Sequence, residues 1–298
     1  MKLKFVIILL FISSFLNAQE KTKYTDKNGK SQWWGLITEQ DLKEEPFKRW
    51  YEKSVANFEP GDHEDVREGL KGVEVKIFMG TWCGDSKRWV PRFIDQWKAL
   101  GLDLNDVEII AVHNSDSLYK KAFKTDESHY HLHRVPTFIF SKNGVESARI
   151  VESPINDLFT DMSQIALGFP SLPRYRAVNN LITYFDTTTI SDYDLVDIGD
   201  LAKKMSRKSS YPGELNTYAK KLMTQGLIDR SLLVLKLNRE LYPYHPFVYQ
   251  QLGVYYDQCG EIEMALEFYQ KSLALEPDNP QLISKIYSIN NTISSVNK

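Results

Sequence analysis

The stretch Gly72–Gly80, "GVEVKIFMG", alternates apolar and polar residues and then becomes continuously apolar, the pattern of an inner β-strand. Two more short apolar runs follow, "DVEIIAV" at Asp106–Val112 and "VPTFIF" at Val135–Phe140. "SKNG" at Ser141–Gly144 carries an Asn-Gly hairpin signal, and "VESARIVE" returns as a fourth strand. Helical spacing begins at Thr38, with Asp41 three residues on in the manner of a capping box. "EPFKRWYEKSVANF" continues that helix or starts a second, with Pro46 in a first turn, and "EPGD" at Glu59–Asp62 ends it. "SPINDLFTDMSQIALG" predicts a closing helix with Ser153 as N-cap, Pro154 at its first position and Gly168 as its stop. The predicted order is strand, helix, strand, helix, antiparallel hairpin, helix. That order implies an α/β fold with a mixed sheet sandwiched by helices.

Beyond Pro173 the strand signal fades, and helices are predicted at Arg174–Phe185 and Asp192–Met205. From about residue 212 the pattern repeats, with Pro243 and Pro277 34 residues apart. In the second copy Leu252, Gly253, Tyr256, Ala265, Tyr269 and Pro277 resemble the tetratricopeptide pattern. The first copy, with Tyr218, Ala219, Leu222, Ser231, Leu235 and Pro243, resembles it less closely. Residues 212–298 are therefore expected to form two such repeats and a capping helix, an all-α helical repeat domain. Residues 171–211 would connect it to a domain at 37–170. The aromatic stripe of Tyr249, Tyr255, Tyr256, Phe268 and Tyr269 belongs to the repeat core by its spacing.

The N-terminus has a different grammar. "MKLKFVIILLFISSFLNAQE" places Lys2 and Lys4 before an apolar core too short to span a bilayer, then small and polar residues up to Ala18. Residues 1–18 read as a secretory signal peptide, so the chain is expected to be exported, to a periplasm or the extracellular space, with no stable membrane insertion after signal removal. Residues 19–36 are polar, with "DKNGKSQ" in the middle, and read as a flexible lead-in. The 298-residue chain has a net charge of −2, which gives no electrostatic reason to expect nucleic acid as a partner. Phosphate loops, dinucleotide fingerprints and HExxH motifs are missing from the sequence. An exported chain meets an oxidising compartment. Its two cysteines, Cys83 and Cys259, lie in segments of very different character and are expected not to pair.

The chemistry concentrates in "KIFMGTWCGDSKRWVPRF", Lys76–Phe93, which reads as a strand, a turn with a thiol, and a helix. A cysteine at a helix start faces unpaired N–H groups and the positive end of the helix dipole. Lys87 and Arg88 add positive charge and Asp85 opposes them. Both effects of the helix start favour thiolate, the nucleophilic form.

Here the sequence resembles the thioredoxin superfamily over about residues 70–170. "TWCGDS" is similar to the W-C-G-x-C segment except at its last residue, Pro91 follows eight after Cys83, and "RVPTFIF" resembles the segment that holds the family's cis-proline. "GTWCGDSKR" is also similar to a segment of exported bacterial thioredoxin-like proteins. The resemblance implies a cis Val135–Pro136 bond and a nucleophilic Cys83. It implies a substrate-binding surface of Trp82, Val135, Pro136 and Thr137. Two positions depart from the family. Ser86 replaces the resolving cysteine, and Ile77 stands where a buried acid assists proton transfer. Such a chain would form a mixed disulfide and need an outside thiol to resolve it. Its function would be isomerase-type or monothiol-type thiol–disulfide exchange, with Ser86 donating a hydrogen bond to the thiolate. The partners implied are client proteins carrying cysteines and an external thiol reductant, with no cofactor and no metal. The competing reading is a non-catalytic scaffold for protein binding or assembly.

Other readings bear on the same site. Cys259 could act as a remote resolving thiol, or be a small residue at a helix end. His129, His131 and His133 would share a face on a strand and could ligate a metal with Cys83, making the chain a metal carrier; on a loop they would not. His133 could also approach the thiol. Trp89 reads as core.

Overall fold

A computed structural model describes residues 21–55, 58, 59, 61, 63–190 and 192–296, the last five by backbone alone. The signal-peptide reading of residues 1–18 lies outside the described residues. Among the described residues no helix is long and apolar enough to cross a membrane.

The fold is mixed α/β. Six strands, β1 (Lys21–Thr25), β2 (Ser31–Ile37), β3 (Glu74–Met79), β4 (Val107–Ala111), β5 (Thr137–Lys142) and β6 (Val145–Val151), form one sheet in the order β1-β2-β4-β3-β5-β6. Among the described residues only β3 and β4 run parallel; every other neighbouring pair is antiparallel. The lead-in expected to be flexible is therefore corrected: it holds the β1–β2 hairpin, and β2 pairs with β4. Asp26 closes the turn by accepting from the Asn28 and Lys30 N–H groups, with Gly29 at φ 74°. The polar "DKNGK" that reads as looseness is the chemistry of a tight turn. Trp33 then anchors β2 in the core.

Helices cover one face of the sheet: α1 (Glu39–Leu42), α2 (Lys48–Ser54), α3 (Glu64–Leu70), α4 (Gly84–Ala99) and α5 (Leu158–Ala166). The Thr38–Asp41 capping box is present as expected. Pro46 precedes α2 in a cis peptide bond rather than sitting in its first turn. The closing helix starts later than expected. Asp157, not Ser153, caps α5 by accepting from the Thr160 N–H, because Asp161 holds Ile155 and Asn156 in the loop before it. Strand alternation divides the apolar residues cleanly. Ile77, Met79, Ile109, Ala111, Phe138 and Phe140 face the helices, while Phe78, Ile110 and Ile139 face the other side.

That other side corrects a second expectation. No helix forms between β4 and β5 among the described residues; a loop of residues 113–136 with one 3₁₀ turn at Ser128–Tyr130 takes its place. Left-handed backbone at Lys120, Lys124 and His131 interrupts any helix there. The loop supplies Ala122, Leu132 and Val135 to cover Phe78, Ile110 and Ile139.

A run of helices follows: α6 (Arg176–Thr187), α7 (Ile198–Met205), α8 (Pro212–Thr224), α9 (Ile228–Leu241), α10 (Pro246–Gln258), α11 (Ile262–Leu275) and α12 (Pro280–Val296). They share a separate apolar core. Pro212, Pro246 and Pro280 each open a helix at 34-residue spacing, and Ile228 and Ile262 do the same. Gly253 lets α10 approach α11, since a Cβ there would lie 2.5 Å from the Tyr269 ring. The run is docked on the sheet unit. Lys221 of α8 reaches Glu127, Lys220 reaches Asp116, and Arg134 donates to Tyr211 and to the Gly213 carbonyl.

Candidate functional site around Cys83

Cys83 is the N-cap residue of α4, in extended backbone at φ −85° and ψ 131°. Its N–H donates to the Gly80 carbonyl at 2.9 Å, and its own carbonyl accepts from Lys87 at 3.1 Å, so the cysteine is fixed between turn and helix. The thiol is half-buried and free. Its Sγ donates to the Val135 carbonyl at 3.3 Å, and the Val135–Pro136 peptide is cis, as expected from the sequence. Cys83 and the proline segment, 52 residues apart in sequence, are thus brought together.

The turn before the thiol is held from two sides. Trp82 donates from Nε1 to the Val112 carbonyl at 3.1 Å and lies against Gly80, where a Cβ would meet the indole at 2.5 Å. Buried Thr81 accepts from the Trp33 N–H and donates to Gln32, whose amide donates in turn to Asp26. The β1–β2 hairpin therefore buttresses the thiol turn. Partial burial works against the charge of Asp26, but donors from Lys30, Gln32 and Asn28 outweigh it and hold its carboxyl below the usual value. Lys87, in the first turn of α4, is depressed by burial and by Lys30, with Cys83 acting the other way.

Several expected roles change. Ser86 is fully buried, and its Oγ accepts from the Gly80 N–H at 3.1 Å, so its hydrogen bond runs to backbone and not to the thiol. A hydroxyl one turn into α4 faces the sheet, where an unpaired N–H needs an acceptor. Val135, Pro136 and Thr137 are buried, and the Thr137 hydroxyl donates to the Arg134 carbonyl at 2.8 Å. These three shape the thiol's backbone surroundings rather than presenting side chains. Trp82 alone of the expected contact residues keeps an exposed part. Ile77 is buried in β3. Trp89 packs on the main core.

The histidines diverge. His129 is exposed in the 3₁₀ turn, His131 lies 3.6 Å from Asp186, and His133 is buried edge-on against Tyr175 and Tyr218. No group of three metal-ligating side chains forms among the described residues. His133 does not face the thiol; its Nδ1 contacts the His131 carbonyl, and burial pushes the imidazole down to about 3, so it is neutral. Cys259 is an exposed, free thiol at the C-cap of α10.

The loop at 113–136 brings residues that the sequence did not flag. Lys120 is 3% exposed and donates from Nζ to Tyr119 Oη at 2.5 Å and to the His133 carbonyl at 2.7 Å. Arg134 pairs with Glu152, and Glu152 donates its N–H to the Pro136 carbonyl at 2.7 Å. "SLYKKAFK" reads in sequence as a solvated charged loop, and no spacing marks Lys120 as the buried member. Comparison of the sequence with family models and with curated proteins found no match.

Proposed function

We propose that this chain is an exported thiol–disulfide exchange protein of the thioredoxin type, acting through the single thiol of Cys83. The observation that carries the reading is the half-exposed thiol at the start of α4, hydrogen-bonded to the carbonyl beside a cis-proline. In the proposed reaction the Cys83 thiolate attacks one sulfur of a client disulfide. A Cys83–client disulfide forms, and the other client sulfur leaves as a thiolate that takes up a proton. A second thiol then attacks the mixed disulfide and releases Cys83. That thiol is the client's own, giving isomerisation, or an external reductant, giving monothiol reduction. Cys259 is not assigned this role. The export assignment rests on the sequence of residues 1–18.

The helices from α8 to α12 are read as tetratricopeptide-like repeats that recruit cysteine-bearing clients, a reading supported by their 34-residue period. The scaffold reading keeps one observation in its favour: Ser86 brings no second sulfur to the thiol, and its hydroxyl oxygen accepts from the Gly80 N–H instead.

The test is to incubate the mature protein carrying Cys259→Ser with glutathione disulfide and to locate the adduct by mass. Thiol exchange requires a glutathionylated Cys83 that free thiol reverses. An unmodified Cys83 in the folded protein would favour the scaffold.

A further inference from the structure

A cleft of about 650 Å³ separates strand β6 from helix α6. Glu146, Ser147, Ala148 and Arg149 all line it. Successive strand residues point to opposite faces of a sheet, so a cavity over one face would meet only every second residue. Four in a row mean that the cleft runs along the edge of β6. That edge is open: β6 is the last strand in the sheet order and pairs only with β5 among the described residues. Glu152 donates its N–H back towards the β5 side, to the Pro136 carbonyl. The alternation of an antiparallel ladder then turns the N–H and C=O of Arg149 outward.

The facing wall comes from α6 and the segments beside it. Asn179 and Asn180 lie three and four residues after Arg176 and share its helix face. Lys208 joins them from the segment before α8, and Pro170, Leu172 and Pro173 come from the linker after α5. The linker does not cover the strand edge. It is tied elsewhere, with Ser171 Oγ donating to the Gln164 side chain at 2.6 Å and Arg174 donating to the Pro154 carbonyl at 2.9 Å. Its two prolines have no N–H to give to a ladder. An edge strand left in this way is a template for another extended chain.

The charges along the cleft select the chain that fits. Glu146 is the one carboxylate lining it among the described residues, and both its oxygens are taken by Arg149 of the same strand, at 2.6 Å each. Arg176 is exposed and has no carboxylate partner among the described residues. Lys208 has none there either, and donates to the neutral amide oxygen of Asn180. Leu172, 75% exposed, and Ile182 add apolar surface to the same walls. We infer that this cleft docks an extended acidic segment of a partner protein, which adds as a further strand to the edge of β6 and sets its carboxylates against Arg176 and Lys208. Backbone pairing supplies the affinity, and the two cations select acidic over basic sequences. Apolar side chains at alternate positions of the segment meet Leu172 and Ile182. None of the cleft's lining residues belongs to the thiol turn, and the inference is independent of the thiol-exchange reading.

The test uses the mature protein and a fluorescein-labelled octapeptide of alternating glutamate and valine, read by fluorescence anisotropy. The acidic peptide should bind about tenfold or more tightly than the same peptide with lysine in place of glutamate. Arg176→Glu combined with Lys208→Glu should weaken the acidic peptide by about tenfold or more. Neither residue belongs to an apolar core, so the variant keeps its fold. Pairing is tested on the peptide itself, by N-methylating every second residue in either of the two registers. Only one set of N–H groups can face β6, so one register should lose binding and the other keep it. An acidic peptide that does not bind, that binds no better than the basic one, or whose binding survives the double charge reversal overturns the site. Equal binding of the two N-methylated registers overturns strand addition.

Discussion

Lys221 Nζ lies 2.8 Å from Glu127 Oε1 with both side chains buried, which pins α8 of the C-terminal run to the loop that covers the thiol face of the sheet. Burial lowers the Lys221 ammonium from its usual range even though Glu127 acts to raise it. Removing one partner would strand the other charge in the interior. Lys221→Met should therefore destabilise the protein by about 3–5 kcal/mol. Lys221→Met combined with Glu127→Gln should regain most of that loss, because glutamine still accepts from the Ala122 N–H. Urea unfolding of the two variants checks the order.

Gly80 is the residue that lets Trp82 lie flat over the thiol turn. Gly80→Ala must push the indole away and break its hydrogen bond to Val112. The expected cost is about 1–3 kcal/mol in thermal unfolding, the usual range for overpacking. Cys83 should also become more accessible, read as faster alkylation at a pH where the thiol is fully ionised.

Acid should weaken the fold through His133. Its imidazole is held near 3 in the folded state by burial, against about 6.5 in an unfolded chain. As the pH falls below about 6.5 the unfolded chain takes up a proton that the folded one refuses. Stability is therefore lost as the pH drops towards 3, by up to about 1.4 kcal/mol per unit from this residue. His113 and His131, also lowered by burial, add smaller losses in the same window. His133→Phe keeps the ring contacts to Tyr175 and Tyr218 and removes the titration, losing the Nδ1 contact with the His131 carbonyl at every pH, while Nε2 has no partner to lose. Its unfolding free energy should fall less between pH 6.5 and 5 than that of the wild type. Equal slopes would show that another group carries the effect.

On the proposed exchange reading, Ser86→Cys would place a second thiol three residues after Cys83, where it could attack a mixed disulfide internally. The glutathione adduct of Cys83 should then decay about tenfold faster or more without added thiol, because resolution no longer waits for an outside nucleophile. The substitution also weakens the acceptor for the Gly80 N–H, so some stability is lost. An adduct that persists unchanged would mean that position 86 cannot reach the Cys83 sulfur.

The strands were legible in the sequence because apolar alternation is local. Glu74–Met79, Val107–Ala111 and Val145–Val151 all fall where the pattern puts them. The Thr38–Asp41 cap was legible for the same reason, being written in a few adjacent residues, whereas the cis Val135–Pro136 bond was expected only from the resemblance of "RVPTFIF" to a known segment. The β1–β2 hairpin was missed because Trp33 and Gln32 are buried by a partner 48 or more residues away, through Thr81 and β4, and the turn chemistry alone looks polar. The loop at 113–136 was misread as a helix because its order comes from tertiary anchors, Lys221, Glu127 and Arg149, which reaches the Tyr130 carbonyl. The same cause hid Lys120. Nothing in a run of lysines distinguishes the one that turns inward, and the direction of Ser86 likewise depends on an N–H six residues before it.

The central claim is that Cys83 is a poised nucleophile. The most direct measurement is the formation and reversal of a Cys83–glutathione disulfide in the folded, mature Cys259→Ser protein. An adduct that forms with glutathione disulfide and is released by free thiol is the predicted result. A Cys83 that stays unmodified, or that reacts only after unfolding, would contradict it.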